Sequence, residues 1–275
     1  MLSEKRKITD IAKFVASLLV VNGHLFMYYS GMPHVTQWVN LGAQCVSLFL
    51  FFSAYGLMCA YERKGQEYLQ GFLTRRLGRI LIPLATAYAV SLPVYAIFRG
   101  RIDWHNVFAT LLWGGPYLKF SWYVTEIVVL YILFYFSARI SRSRIMLTGI
   151  LSASVFVLIV VLFVTKQPVW YINGLPCFIL GLWYQHFEEK VEALFCRRKS
   201  LISIVLMFGF LVFFQWHYIR DTLPFLSAWR YEYVAMYISN IFFVLLALHI
   251  IKYVRTNSCR LEWGGRSLIV IMKFI

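Results

Sequence analysis

Residues 13–29 read KFVASLLVVNGHLFMYY, an apolar run that begins with Lys13 and carries His24 well inside it. The hydrocarbon core of a bilayer is about 30 Å thick, and a helix needs about 20 mostly apolar residues to cross it. This run approaches that length, and similar runs follow it along the whole chain. The sequence therefore predicts a multi-pass membrane protein, and the first run is expected to be its first span rather than a cleaved leader.

The composition agrees with that prediction. The chain has 275 residues, of which 60% are hydrophobic and only 14% are charged, whereas soluble domains carry about 25% charged residues. We expect an all-α transmembrane helix bundle of about eight full spans, followed by a short apolar segment at 267–275. The expected spans are 11–29, 41–61, 80–98, 122–138, 145–165, 169–187, 201–219 and 231–253.

The basic residues of the chain alternate with these spans. Of the 27 lysine and arginine residues, twenty fall in the N-terminal segment and the connections on its side of the bilayer, and six fall on the opposite side. Loops rich in lysine and arginine stay in the cytoplasm. The N-terminus is thus expected to be cytoplasmic, and the net charge of +15 reflects membrane topology rather than a nucleic-acid partner.

Few features divide the chain, and residues 1–275 are predicted to form a single membrane domain. The sequence has no linker, no convincing repeat and no Cys/His spacing typical of a metal site. The longest outer connection, 99–121, has apolar residues at helical spacing from Trp104 onward, which predicts a helix along the interface. Pro83 predicts a kink or boundary at the start of the third span.

Lys13 and His24 are the polar residues of the first span. Eleven residues make three helical turns plus about 20°, so the two side chains share one face and lie about 16 Å apart. Lys13 could extend its ammonium to the membrane surface. His24 could bond a neighbouring helix, or a neutral imidazole there could act as a general base.

Arg75, Arg76 and Arg79 stand together in the sequence FLTRRLGRILIP. They could serve only to anchor the cytoplasmic end of a helix. Because guanidinium groups bind phosphate in a bidentate manner, they could also hold a phosphorylated ligand.

Glu126, four residues after Trp122, is the only acid in the middle of a predicted span. A buried carboxylate needs a partner, which could be an arginine, the histidine or a substrate hydroxyl. A structural tie between helices is the alternative.

These motifs together resemble the integral-membrane acyltransferase family 3, bacterial O-acyltransferases that modify cell-surface glycans. The matching features occur in the family's order: Lys13 and His24 as a basic residue, ten residues and a histidine; SLFLFFSAYGL around Ser53; Arg76 and Arg79 as RxxR followed by proline; SWYVTEIVVLYI from Ser121; and LPCFILGLWY from Leu175. No single motif is specific, but five in order cover nearly the whole chain.

The resemblance implies a function and roles for these residues. An acyl group, most simply acetyl from cytoplasmic acetyl-CoA, would pass to a hydroxyl of an extracytoplasmic polysaccharide or other glycan, in a bacterial inner membrane. No metal is expected. The expected catalytic residues are His24 and Glu126, the donor-binding residues are Lys13, Arg75, Arg76 and Arg79, and the substrate-binding residues are Ser53, Trp122 and Tyr123.

Two departures from the family pattern keep alternatives open. Ala54 replaces a glycine that usually follows the serine, and the closing segment from Ser267 begins the family's last motif without its tyrosine and histidine. The last span is therefore expected to be missing, so that a truncated, inactive relative is one alternative. A transporter or flippase of a glycan or small polar solute is another, although it would favour paired halves with broken helices.

Overall fold

The structure, a computed structural model, describes residues 2–28, 41–110, 117–118, 121–197, 202–211 and 229–263. Throughout these ranges the regular structure is helical and no strand occurs, which confirms the all-α prediction. The helices are α1 (Leu2–Tyr28), α2 (Gly42–Lys64), α3 (Phe72–Arg99), α4 (Trp104–Thr110), α5 (Trp122–Ile140), α6 (Arg144–Val164), α7 (Leu175–Arg197), α8 (Ile202–Leu211) and α9 (Trp229–Trp263). Two 3₁₀ helices, Gly65–Leu69 and Val169–Tyr171, join them.

Five helical segments in the described part of the chain are long and apolar enough to cross a membrane. They are Gly42–Leu69, Phe72–Arg99, Trp122–Ile140, Arg144–Val164 and Val234–Val254. The predicted total of about eight spans is not confirmed. α1 and α7 are long helices, but charged residues crowd the first half of α1 and the second half of α7 and shorten their apolar stretches. Much of the predicted span 201–219 lies outside the described residues, as does the segment 267–275.

Contacts divide the chain into two compact units. The first unit contains Met1–Ala54 and Pro176–Ile275, and the second contains Tyr55–Leu175. The division falls inside α2 and at the start of α7.

Aromatic side chains form the core of the second unit. Phe72 and Phe134 are 1% and 0% exposed and their ring centroids lie 5.3 Å apart. Tyr68, from the 3₁₀ helix after α2, packs edge-on against both of them. This cluster fixes the start of α3 against the middle of α5, because burying rings of this size is the largest apolar contribution that single side chains can make.

α3 corrects one of the two alternatives predicted from Pro83, which were a kink or a helix boundary. The helix begins at Phe72, eleven residues before Pro83, and continues through both Pro83 and Pro93 to Arg99. Its start is set by Gly71, whose positive φ of 59° is a backbone conformation that glycine adopts without strain. Pro83 therefore marks no boundary, and the three arginines lie in the first two turns of a long helix.

α4 confirms the helix predicted in the connection 99–121 as far as that connection is described. Val107 is buried against Tyr88 and Tyr117, while Trp104 and Phe108 are exposed. Residues 111–116, which complete the predicted apolar stripe, lie outside the described part.

In the first unit, α2 and α7 approach closely at Gly181. A Cβ atom built on Gly181 would lie 2.4 Å from the backbone oxygen of Phe51 and 3.0 Å from the Cβ of Ala54. Small residues at a membrane helix interface permit this approach. The alanine that departs from the family pattern is thus accommodated by a glycine opposite it.

We expect Gly181→Ala to lower the midpoint of thermal unfolding in detergent, because the added methyl group must push a backbone oxygen away. Forcing an extra carbon into a closely packed contact costs roughly 1–3 kcal/mol. Gly149→Ala in α6 is the matched control, since a Cβ there meets nothing within 4 Å. An equal midpoint for the two variants would contradict the close approach.

Candidate functional site

Tyr68 holds two of the three predicted donor-binding arginines. Its hydroxyl accepts a hydrogen bond from Arg76 Nη2 at 2.6 Å, and its backbone oxygen accepts one from Arg75 Nη2 at 3.3 Å. The Arg75 guanidinium also lies over Gly71, where any Cβ would be 3.0 Å from Nη1. The 3₁₀ helix that carries Tyr68 therefore orders the guanidinium groups at the start of α3.

Two tyrosine rings flank the Arg76 guanidinium. Its Cζ lies 6.0 Å from the Tyr68 ring centroid and 5.7 Å from that of Tyr131 on α5, distances at which a cation is attracted to an aromatic face. Arg76 is thus partly buried and fixed, whereas Arg75 and Arg79 are exposed to their surroundings.

The start of α3 adds to this positive charge. Gly71, which precedes the helix, offers no side chain to cap its first N–H groups. Uncapped N–H groups and the helix dipole both favour an anion at a helix start. The arginines and the helix terminus together make a surface suited to phosphate groups.

α1 places Lys13 and His24 on one side. Both residues are partly buried, and Ala16 and Gly23 are buried between and beside them, while Phe14 and Leu18 on the opposite side are 64% and 53% exposed. The Lys13 ammonium lies 5.5 Å from the ring centroid of Phe52 on α2. Lys13 is therefore engaged with a neighbouring helix at the residue that precedes Ser53.

Ser53 lies in the same unit as Lys13 and His24. It is partly buried, between Phe52 at 7% and Ala54 at 0% exposure. Its position in the α2 segment that packs against α7 fits a structural role as well as a substrate contact.

Glu126 lies inside α5 and is only 7% exposed. Neither of its carboxylate oxygens has a hydrogen-bond partner among the described residues. Trp122 and Tyr123, one turn earlier on the same helix, lie on the face that carries Glu126 because residues three and four apart are neighbours. The sequence left open an arginine, the histidine or a substrate hydroxyl as the partner of this carboxylate. In the described part of the chain, no arginine of the second unit forms a hydrogen bond with it.

Tyr171, in the 3₁₀ helix between α6 and α7, joins this group and was not predicted. Its ring centroid lies 5.5 Å from that of Trp122. Burial, reinforced by the nearby Glu126 carboxylate, raises the pKa of Tyr171. Its hydroxyl therefore keeps its proton at neutral pH and remains a hydrogen-bond donor.

A second polar group that the sequence analysis missed lies in the first unit. Ser203 Oγ and His249 Nε2 are 2.8 Å apart, and Lys252, one turn beyond His249, forms an ion pair with Glu192 of α7. A histidine inside an apolar span was the signal that selected His24, and the same signal was present at His249.

The predicted site residues therefore fall into two sets. Each unit holds one of them: Lys13, His24 and Ser53 in the first, and Arg75, Arg76, Arg79, Trp122, Tyr123 and Glu126 in the second. Within the described ranges, no three His, Cys, Asp or Glu residues lie close enough together to hold a metal ion.

Comparison with known proteins identifies the family. A search of curated proteins and a search of solved structures each gave no match. The family model described as an acyltransferase domain matches residues 7–271, nearly the whole chain. The chain therefore belongs to acyltransferase family 3 and is a membrane acyltransferase.

Proposed function

We propose that this protein transfers an acetyl group from cytoplasmic acetyl-CoA to a hydroxyl group of a glycan on the outer side of a bacterial inner membrane. The observation that carries the proposal is the arginine cluster at the start of α3, in which Tyr68 holds Arg75 and Arg76 while Arg79 stays exposed. Acyl-CoA carries several phosphate groups, and fixed guanidinium forks favour such a ligand over a single carboxylate.

His24 is the proposed general base. In direct transfer its imidazole takes the proton of the acceptor hydroxyl as the hydroxyl oxygen attacks the thioester carbonyl. The new C–O ester bond forms, the C–S bond breaks, and the CoA thiolate leaves and recovers the proton from the imidazolium. In covalent transfer the imidazole attacks the thioester carbonyl, so that an N–C bond forms, the C–S bond breaks and the CoA thiolate leaves. The acceptor hydroxyl oxygen then attacks the acetyl carbon, the C–O ester bond forms as the N–C bond breaks, and the hydroxyl proton passes to the released imidazole.

The proposed topology separates the two substrates. The N-terminus and the arginine cluster lie in the cytoplasm, where acyl-CoA is found, and His24 lies in the outer half of its helix. Twenty basic residues on one side against six on the other support this orientation.

The topology predicts which introduced cysteines react from outside. In intact cells, Arg101→Cys is expected to react with a membrane-impermeant maleimide, whereas Lys64→Cys is expected to react only after permeabilisation. Both native residues are exposed, so access depends on the side of the membrane. The unsubstituted protein is the control, and the reverse labelling pattern would refute the orientation.

Loss of His24 is expected to abolish transfer. With purified protein in lipid nanodiscs, labelled acetyl-CoA and envelope glycans from the source cells, His24→Ala should lower kcat about 10²–10⁴-fold, as removal of a general base does. His105→Ala, which removes an exposed histidine on α4, is the matched control. Transfer that survives in His24→Ala would exclude the catalytic assignment. Glycan translocation in sealed proteoliposomes, without acetylation, would favour the flippase.

The hydrogen bond and the two tyrosine rings that hold Arg76 allow a prediction about donor binding. Tyr68→Phe removes only the hydroxyl that accepts from Arg76, so we expect KM for acetyl-CoA to rise about tenfold, the equivalent of roughly 1.4 kcal/mol, with little change in kcat. Arg79→Ala should raise the same KM and weaken its dependence on salt. Arg142→Ala, an exposed arginine in the connection between α5 and α6, is the control. If Tyr68→Phe and Arg79→Ala have the same KM for acetyl-CoA as Arg142→Ala, the arginine cluster does not bind the donor.

A further inference from the structure

The carboxyl group of Glu126 is a buried polar group of the second unit that nothing in its own packing satisfies. The residue is 93% buried, and both oxygens lack a hydrogen-bond partner among the described residues. At the same end of α5, the Ser121 hydroxyl is buried to 98% and also lacks a partner, although Ser121 occupies the N-cap position where its oxygen would normally accept a helix N–H.

Such groups carry a physical cost. Burying an ionised carboxylate without a partner costs several kcal/mol, and a buried hydroxyl without a partner costs about 1–3 kcal/mol. Unsatisfied buried groups in a native structure are few, and they occur where a ligand, an ordered water or a catalytic role compensates for the cost. Inside a membrane helix an ionisable group points to function.

Aromatic residues flank Glu126 on its own helix and on the segment that packs beside it. Trp122 and Tyr123 lie one turn before Glu126 on α5, with ring centroids 6.2 Å apart, and Tyr171 packs edge-on against Trp122 at 5.5 Å. The nearby Glu126 carboxylate contributes to the raised pKa of Tyr171, after the effect of burial. Trp122 and Tyr123 are only partly buried, so the group is open to its surroundings on that side.

Neither an ion pair nor a metal ion satisfies the Glu126 carboxyl group within the described ranges. Its two oxygens have no partner there, basic side chains included. No group of three His, Cys, Asp or Glu residues is available there to hold a metal ion. A ligand that offers hydrogen-bond donors to a carboxyl group and an apolar face to aromatic rings suits this group of side chains.

We propose that Glu126, Trp122, Tyr123 and Tyr171 form the binding site for the sugar ring of the acceptor. Sugar hydroxyls donate to the Glu126 carboxyl group, and the C–H face of the ring packs on the partly buried rings of Trp122 and Tyr123, while the Tyr171 hydroxyl contributes a further hydrogen bond. The inference rests on the proposed function, because that function supplies a hydroxylated acceptor. It assigns Glu126 to acceptor binding, with Tyr171 as a site residue on a different segment.

The test separates acceptor binding from donor binding. Glu126→Gln keeps the size of the side chain but removes the carboxylate, and Tyr171→Phe removes one hydroxyl. For transfer to envelope glycans we expect KM of the glycan to rise about ten- to a hundredfold in Glu126→Gln and about two- to tenfold in Tyr171→Phe. KM for acetyl-CoA should stay unchanged in both. Glu67→Gln, at an exposed carboxylate, and Tyr88→Phe, at a buried tyrosine of α3, are the matched controls.

The outcomes distinguish this inference from the proposed function. If the unsubstituted protein transfers acetyl groups and the glycan KM is unchanged in both variants, the acceptor site is wrong and the function stands. If no transfer occurs, binding of labelled glycan by equilibrium dialysis still tests the site, and weaker binding in Glu126→Gln supports it. Competition with choline tests whether the group is a cation site instead. If choline displaces the glycan from the unsubstituted protein but not from Glu126→Gln, the inference is overturned. The midpoints of thermal unfolding verify that each variant is folded. If Glu126→Gln is not folded, the glycan KM of Tyr171→Phe decides the test.

Discussion

The absence of water inside a bilayer is the constraint on which this structure depends, because every polar side chain there must find a partner in the protein or in a ligand. Within the span Val234–Val254, His249 pairs with Ser203 and Lys252 pairs with Glu192. The Glu126 carboxyl group has no such partner among the described residues. Other buried polar atoms of the described residues also lack a partner, but Glu126 is the carboxyl group among them and both of its oxygens are unsatisfied.

Aromatic residues take the role that acidic partners have in soluble proteins. The chain carries 27 basic residues and only 12 acidic ones, so ion pairs cannot satisfy most of its cations. Lys13 lies over Phe52, Arg76 between Tyr68 and Tyr131, and Arg139 over Tyr135. A ring holds a cation in place and leaves its hydrogen-bond donors available. The arginines can therefore be ordered without being neutralised, which a site for a phosphorylated donor requires.

Length and apolar content were enough to predict an all-helical membrane protein, because the bilayer imposes its thickness on every span. Motif order was enough to predict the family. The sequence did not predict that α3 starts at Phe72, since Gly71 and the packing of Phe72 against Phe134 decide that start, whereas Pro83 is accommodated within the helix. Residue spacing also did not predict the contact of Tyr68 with Arg76 or that of Tyr171 with Trp122. Those contacts join different segments and depend on how the second unit packs.

α5 relates the two proposed substrate sites within the second unit. Tyr131 contacts the Arg76 guanidinium, and Glu126 lies five residues earlier on the same helix, about 7.5 Å along its axis at 1.5 Å per residue. A continuous helix fixes the spacing of the residues that it carries, and α5 is braced by α6, where Leu147 and Leu151 are fully buried. The groups proposed to hold the donor and the acceptor therefore keep a constant separation along α5. An enzyme that moves an acyl group between two such substrates gains from this arrangement, because the entropy of positioning them is already lost when the helix packs.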